Sequence, residues 1–352
     1  MLKNRNILIL AAVLVVLLGI SLVQKSSYRK STSRTSTDTV VAGVFTADQL
    51  DRITLGHGQD KEAVVLVSTP TGWVTASAWD APANMARIDA LLSSVSDLSG
   101  EFRSDSQAVL DDYGLSDDTA VTVRGYGKDG ELAFGLDIGN KPERVPGNFV
   151  RSPGATAVYL TQTNLLAQLG LYEGPARPGS KHFLDLEAVK EERLAVDRII
   201  LDDGGLRLEM AKEFSPAHPV PGSGPEATAA DDSVELDRTT WEWKLTAPQA
   251  KALAKTKADG VLGSLVNIRA VDVDDPAADP AAFGLAEPAR TATVVREDGS
   301  ELTLEFGNQK EAEGDGQAGI WMRVRGKPAV WVVTDYTVKN IFKTVEDLLP
   351  EE

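Results

Sequence analysis

The stretch Leu50–Leu55, LDRITL, returns as Val196–Leu201, VDRIIL, 146 positions further on. Other matches follow it in the same order. Asp80-Ala81-Pro82 is echoed by Thr246-Ala247-Pro248, LLSSVSDL (Leu91–Leu98) by VLGSLVNI (Val261–Ile268), YGL (Tyr113–Leu115) by FGL (Phe283–Leu285), and LDIGN (Leu136–Asn140) by LEFGN (Leu304–Asn308). Phe149-Val150-Arg151 then returns as Trp321-Met322-Arg323, and Val158-Tyr159-Leu160 as Val330-Trp331-Val332. Matches kept in one order mean an internal duplication, so the chain is read as one supersecondary unit written twice.

Each copy predicts the same elements. A strand pair comes first, Ile53–Leu55 with Val64–Val67 in copy one, followed by a tryptophan, Trp73 or Trp241/Trp243. A helix is expected to start at Asp80 with Pro82, and at Thr246 with Pro248, because a polar cap and an early proline suit a helix N-terminus. Met85, Ile88, Leu91, Leu92, Val95 and Leu98 then repeat at helical spacing on one face. A short turn closes at Gly114 or Gly284, where positive φ is needed, and Asp279-Pro280 suits its start. Paired strands follow, Ala120–Gly125 with Leu132–Ile138 and Thr291–Arg296 with Leu302–Phe306, then a second pair and a closing helix. Strands joined by tight turns pair antiparallel, and a helix laid on one face of such a sheet gives an α+β fold. The offset between copies rises to 166 at the Ala-Pro pair, which places an insertion in the Pro/Gly-rich run Pro216–Asp232. It reaches 170 after the helix, and four residues are about one helical turn, so this reading gives the second copy a longer helix.

The stretch GYGKDG (Gly125–Gly130) has the spacing of a dinucleotide loop. Such a loop leads from a strand into a helix. Here a strand follows, and the counterpart in copy two is REDG (Arg296–Gly299). Asp-Gly between alternating strands predicts a β-hairpin turn, and no cofactor is expected.

The ends of the chain carry different information. Ile7–Val23, ILILAAVLVVLLGISLV, is an uncharged run of 17 residues, enough for a short membrane span and longer than a signal-peptide core. Residues 1–40 hold six Lys or Arg against one acid; with a formal charge of −16 for all 352 residues, the remainder carries −21. Such a body is repelled by nucleic acid and anionic lipid. The absence of cysteine excludes disulfides, thiolate metal sites and a thiol nucleophile. The divisions expected are an anchor at 1–24, a Ser/Thr-rich tether at 25–44, a first α+β repeat at 45–172, a connection at 173–194, and a second repeat at 195–347 with a flexible insertion at about 214–238. Lys3 and Arg5 precede the span, while Lys25, Arg29, Lys30 and Arg34 follow it. A positive-inside count alone puts the body in the cytoplasm. The order of short basic tail, apolar run and large body is that of an exported chain, and a body outside the cytoplasm is the expectation taken.

Candidate chemistry is sparse. Asp272, Asp274, Asp275 and Asp279 resemble a calcium loop, but the fifth and sixth places hold Pro276 and Ala277 instead of Asp/Asn and Gly. His57, His182 and His218 have no helical metal spacing. Gly222-Ser223-Gly224 lies in the Pro-rich insertion, where a nucleophile elbow has no strand or helix to sit between. The aromatics kept in both copies read as core, and Arg151 and Arg323 as structural ion-pair partners. No catalytic, cofactor or metal residue is assigned.

The span, the D-x-I-x-L strand, the tryptophan, the Ala-Pro turn and Y/F-G-L before alternating strands together resemble the bacterial family known as domain of unknown function 4340. FGLAEPARTATVV (Phe283–Val295) followed by DGSELTLEFGN (Asp298–Asn308) carries the likeness best, and copy one departs at Asp118, where copy two has Pro288. The likeness covers nearly all of residues 45–345. It implies a single-pass membrane protein encoded beside gliding-type ABC transporter components: an ABC-2 permease, an ATPase and an auxiliary extracytoplasmic protein. The family supplies no catalytic residues to carry over. The expected function is a non-enzymatic, membrane-anchored accessory or scaffold subunit. An envelope glycan- or peptide-binding module and a carboxylate-based hydrolase are the alternatives.

Overall fold

The computed structural model describes residues 37–216, 236–312 and 317–351. The expected span Ile7–Val23 lies outside the described residues, as do the tether up to Ser36, His218 and Gly222–Gly224. Among the described residues no helix is long and apolar enough to cross a membrane.

The chain divides into two compact units, one holding residues up to Trp73 and Met85–His182, the other Val74–Asn84 and Phe183 onward. The first half of the chain supplies strands β1 (Thr37–Thr39), β2 (Leu50–His57), β3 (Asp60–Thr69), β4 (Gly72–Thr75), β5 (Ala81–Pro82), β6 (Ser99–Ser104), β7 (Val121–Gly127), β8 (Leu132–Ile138), β9 (Phe149–Arg151) and β10 (Val158–Leu160). Its helices are α1 (Met85–Val95) and α2 (Leu165–Gln168). In the first unit the sheet order is β1-β6-β10-β9-β8-β7-β2-β3. Ile88, Leu91, Leu92 and Val95 of α1 are buried, the i, i+3, i+4, i+7 pattern of an amphipathic helix.

The second half supplies β11 (Glu187–Lys190), β12 (Val196–Asp203), β13 (Leu206–Pro216), β14 (Leu236–Ala247), β15 (Lys251–Ala252), β16 (Asn267–Arg269), β17 (Asp272–Asp274), β18 (Arg290–Arg296), β19 (Glu301–Lys310), β20 (Gly319–Val324) and β21 (Val330–Val333). Its helices are α3 (Lys255–Val266), α4 (Asp335–Ile341) and α5 (Val345–Leu348). The large sheet runs β15-β14-β13-β12-β18-β19-β20-β21-β17. Its segment β17-β21-β20-β19-β18-β12-β13 repeats β6-β10-β9-β8-β7-β2-β3 strand for strand, so the duplication read from sequence is a duplication of topology. The fold is antiparallel sheet with few helices. Ile199, Met210, Trp243, Leu262, Leu265, Leu304 and Phe306 build the core of the second unit, and Ala78 and Ala81 from the early chain join it.

Two expectations are corrected. The first helix does not start at Asp80. Trp79 and Asp80 have φ of 54° each, and Ala81-Pro82 pairs with Val74-Thr75 as a strand, so α1 begins at Met85. Second, Ala81-Pro82 corresponds in the fold to Lys251-Ala252, which pairs with Lys244-Leu245, and not to Ala247-Pro248. The offset therefore passes directly to 170. The second copy gains its residues between β13 and β14, and α3 is not a turn longer than α1 (12 residues against 11). Within the expected connection at 173–194, Glu187–Lys190 forms β11 against β16. The strands β13 and β14 likewise reach into the expected insertion, with Ser215 opposite Asp237.

Each copy is closed by the same clasp. Gly114 and Gly284 have φ of +67° and +68°. Just after them the Leu115 amide donates to the Leu110 carbonyl and the Leu285 amide to the Pro280 carbonyl, both at 2.8 Å, the pattern of a left-handed cap. The carbonyls of Tyr113 and Phe283 accept from the amides of Asn140 and Asn308, again both at 2.8 Å. A methyl group at Gly139 or Gly307 would collide with those same carbonyls. The aromatic rings complete the clasp: Tyr113 packs on Phe149 at 4.6 Å and Phe283 on Trp321 at 5.1 Å between centroids.

Two glycine substitutions separate turn geometry from close approach. Gly299→Ala meets nothing within 4 Å but sits at φ +78°, and it is expected to cost about 1–2 kcal/mol for the left-handed backbone. Gly307→Ala has no turn to satisfy and is expected to cost more, about 3 kcal/mol, because the Phe283 carbonyl must move. Urea unfolding of both variants checks the ranking.

Candidate functional site

GYGKDG is a hairpin. Gly125 and Gly127 lie in β7, the Gly127 amide donates to the Glu131 carbonyl at 2.9 Å, and Gly130 has φ +79°. REDG matches it: the Arg296 amide donates to the Ser300 carbonyl at 2.9 Å, and Gly299 has φ +78°. Gly125 is required by packing, because a methyl there would collide with the Phe134 ring.

The four aspartates of the calcium-like loop do not converge. Asp272 accepts from the Val273 amide, Asp274 from the Asp275 amide, Asp275 from the Ala277 amide and Asp279 from the Ala281 amide, at 2.9–3.0 Å. Asp274 is further held by Lys310 at 2.7 Å and by the Trp321 indole at 3.0 Å. Among the described residues no group of His, Asp and Glu is arranged to hold a metal ion. The His182 ring lies against Gly170 and meets the Gln168 carbonyl at 3.1 Å. Burial and the Arg87 charge push its pKa down.

The strongest polar arrangement is a buried carboxylate held by two arginines, present in both copies. In the first, Asp137 of LDIGN receives Arg151 Nε at 3.0 Å and Arg124 at 2.5 Å, with Asp137 and Arg151 both nearly sealed from solvent. In the second, Glu305 of LEFGN receives Arg323 at 2.6 Å and Arg325 at 2.8 Å. The equivalence of Arg151 with Arg323, and of Asp137 with Glu305 in LDIGN and LEFGN, is legible from sequence, but that these positions pair across strands is not. Arg323 also donates to the Leu285 carbonyl at 3.1 Å, and Arg151 to Asp117 at 2.6 Å, so each arginine ties the sheet to the clasp. With every charge paired, the arrangement holds strands together and leaves no group free to attack or to transfer a proton.

A second cluster belongs to copy two alone. Lys212 of β13 lies with its ammonium 4.1 Å from the Trp241 ring centre and donates to the Arg193 carbonyl. Lys255 sits 4.0 Å from the same ring centre and pairs with Asp259 at 2.9 Å. Asp259 also accepts from the indoles of Trp243 at 2.8 Å and Trp241 at 3.2 Å. Burial would raise the Asp259 carboxyl, but the indole N–H groups and Lys255 outweigh it and hold it below the usual range. The Lys212 ammonium is pushed down to about 8, mainly by its removal from water. The tryptophans are legible as strand residues; their cation partners come from distant positions and are not.

With this geometry in view, the family can be assigned. The model of the domain of unknown function (DUF4340) matches residues 73–272 and, overlapping them, 243–350. The chain belongs to this family. The two matches open on Trp73 and Trp243, the equivalent tryptophans of the two copies, which is the duplication seen from outside. No curated protein and no solved structure matches the chain.

Two pH experiments test these clusters. Burial raises the Glu305 carboxyl, but hydrogen bonds from Arg323 and Arg325 prevail and leave it below 4.5. Its contribution is therefore present above pH 4.5 and lost as pH falls through the lowered value. Glu305→Gln is expected to cost about 3 kcal/mol at pH 7, a difference that shrinks in acid. For Lys212 the slope has the same sign, but folding disfavours its charged form instead of favouring it. The folded state releases its proton near 8 and the unfolded state near 10.5, so wild-type stability rises relative to Lys212→Met between those values and is flat below them. Denaturant titrations across pH measure both.

Proposed function

We propose that the chain is a non-enzymatic, membrane-anchored extracytoplasmic accessory or scaffold subunit that works with an ABC-type transport complex. The observation that carries this reading is the uncharged run Ile7–Val23 ahead of a strongly acidic body. An uncharged run of that length suits a bilayer core, and an acidic body stays off anionic lipid. The charged clusters described above support it, because they are joined to the fold instead of being displayed in an open site. The partners proposed from the family likeness are an ABC-2 type permease, an ATPase and an auxiliary extracytoplasmic subunit. The chain has no nucleotide-binding loop at GYGKDG, so the ATPase would be a separate chain. The location proposed is the cytoplasmic membrane, with the body on its outer side. Between Val23 and Thr37 there are 13 residues, which reach at most about 45 Å when extended, so the first unit would work close to the bilayer.

Alkaline extraction of native membranes, with protease added to spheroplasts, tests the anchoring. The full chain is expected to stay in the membrane pellet and to be cut by external protease. A chain lacking residues 1–24 is expected in the soluble fraction. A full chain released by alkali, or one protected from external protease, contradicts the reading.

A further inference from the structure

The first unit holds a cleft of about 730 Å³, within the size range of ligand sites. Ser93 and Asp97 at the end of α1, Ser99 and Glu101 of β6, Gln162 after β10, and Thr37 of β1 contribute to its lining. The side chains of Ser93, Ser99 and Gln162 make no hydrogen bond among the described residues. No aromatic ring among the described residues lines the cleft, so a sugar would have no stacking platform. Its charges are Asp97, Glu101 and Arg103; Arg103 pairs with Glu101 at 3.0 Å, so the net negative charge is that of Asp97, which has no cationic partner among the described residues, and α1 has no basic residue in its last turn to offset the negative end of its dipole. Finally, β1 is the last strand of its sheet. It pairs with β6 on one side (Thr37 opposite Glu101, Thr39 opposite Ser99), and among the described residues no strand of the first unit pairs with its other side.

An open strand edge beside a polar cleft is the geometry for adding a strand from another chain. The side groups in the cleft then select by charge. We propose that the cleft and the free edge of β1 bind an extended, basic peptide segment of a membrane partner, which pairs with β1 and places a Lys or Arg side chain toward Asp97. The inference rests on the accessory-subunit reading for the source of that peptide. The site itself rests on the cleft, its charge and the open edge.

The test uses the full chain in mild detergent, with a synthetic (Lys-Thr)4 peptide as probe and (Glu-Thr)4 as control. Hydrogen–deuterium exchange is followed over Thr37–Thr39 and Ser99–Ser104. The basic peptide is expected to slow exchange there and the acidic one to leave it unchanged. Ser93→Arg, at an exposed helical position that arginine suits, is expected to weaken binding about tenfold by filling the cleft and cancelling its net charge. Equal binding of both peptides, binding untouched by Ser93→Arg, or binding without protection of β1 overturns the proposal. A photo-cross-linking residue at position 93 in native membranes separates the two levels. A permease complex that co-purifies without any cross-link through position 93 overturns this inference and leaves the accessory reading in place. Selective peptide binding by a chain that purifies alone upholds the site and overturns the accessory reading.

Discussion

A backbone carbonyl meeting a backbone amide across a glycine is the constraint on which each repeat turns. The Tyr113 carbonyl reaches the Asn140 amide, and the Phe283 carbonyl the Asn308 amide, only because Gly139 and Gly307 carry no side chain. The approach fixes where the YGL or FGL turn sits on the strand that ends in GN. It also sets the ring of Tyr113 on Phe149 and that of Phe283 on Trp321. The buried carboxylate lies three residues before the asparagine, within reach of Arg151 or Arg323. One backbone contact thus places an aromatic pair and an ion pair, and both copies keep all three.

That economy bears on function. An arginine–carboxylate pair sealed under a sheet is costly to desolvate and is retained only when its geometry is well satisfied. Here two arginines hold each acid; the Asp137–Arg151 pair is sealed, while in the second copy Glu305 is buried and Arg325 is exposed. What the fold leaves available is surface: strand edges, and a polar cleft in the first unit. Such features suit the proposal of a chain that holds partners.

Much of this was legible in the sequence because it recurred. LDRITL and VDRIIL gave the first strand of each copy, DG at Asp129-Gly130 and Asp298-Gly299 gave the hairpins, and Ile88, Leu91, Leu92 and Val95 gave the helix face. The failures have physical causes. Asp80-Ala81-Pro82 looked like a helix start, but a proline opens an extended strand equally well when its partner comes from upstream, as Val74-Thr75 does here. The Ala-Pro echo in copy two was a coincidence of two common residues. The glycines of LDIGN and LEFGN showed no local reason at all, since the atom they avoid is the carbonyl of a residue more than twenty positions earlier. The cleft was invisible for the same reason, as its walls come from strands and turns far apart in the chain.

The central claim is that this chain is a subunit and not an enzyme, and the measurement that addresses it most directly is purification of the tagged full chain from its native membrane in mild detergent, with quantitative mass spectrometry of what accompanies it. A permease and an ATPase at near-stoichiometric yield are the predicted result. A chain that emerges alone and monomeric, at the yield of the membrane proteins around it, would contradict the account.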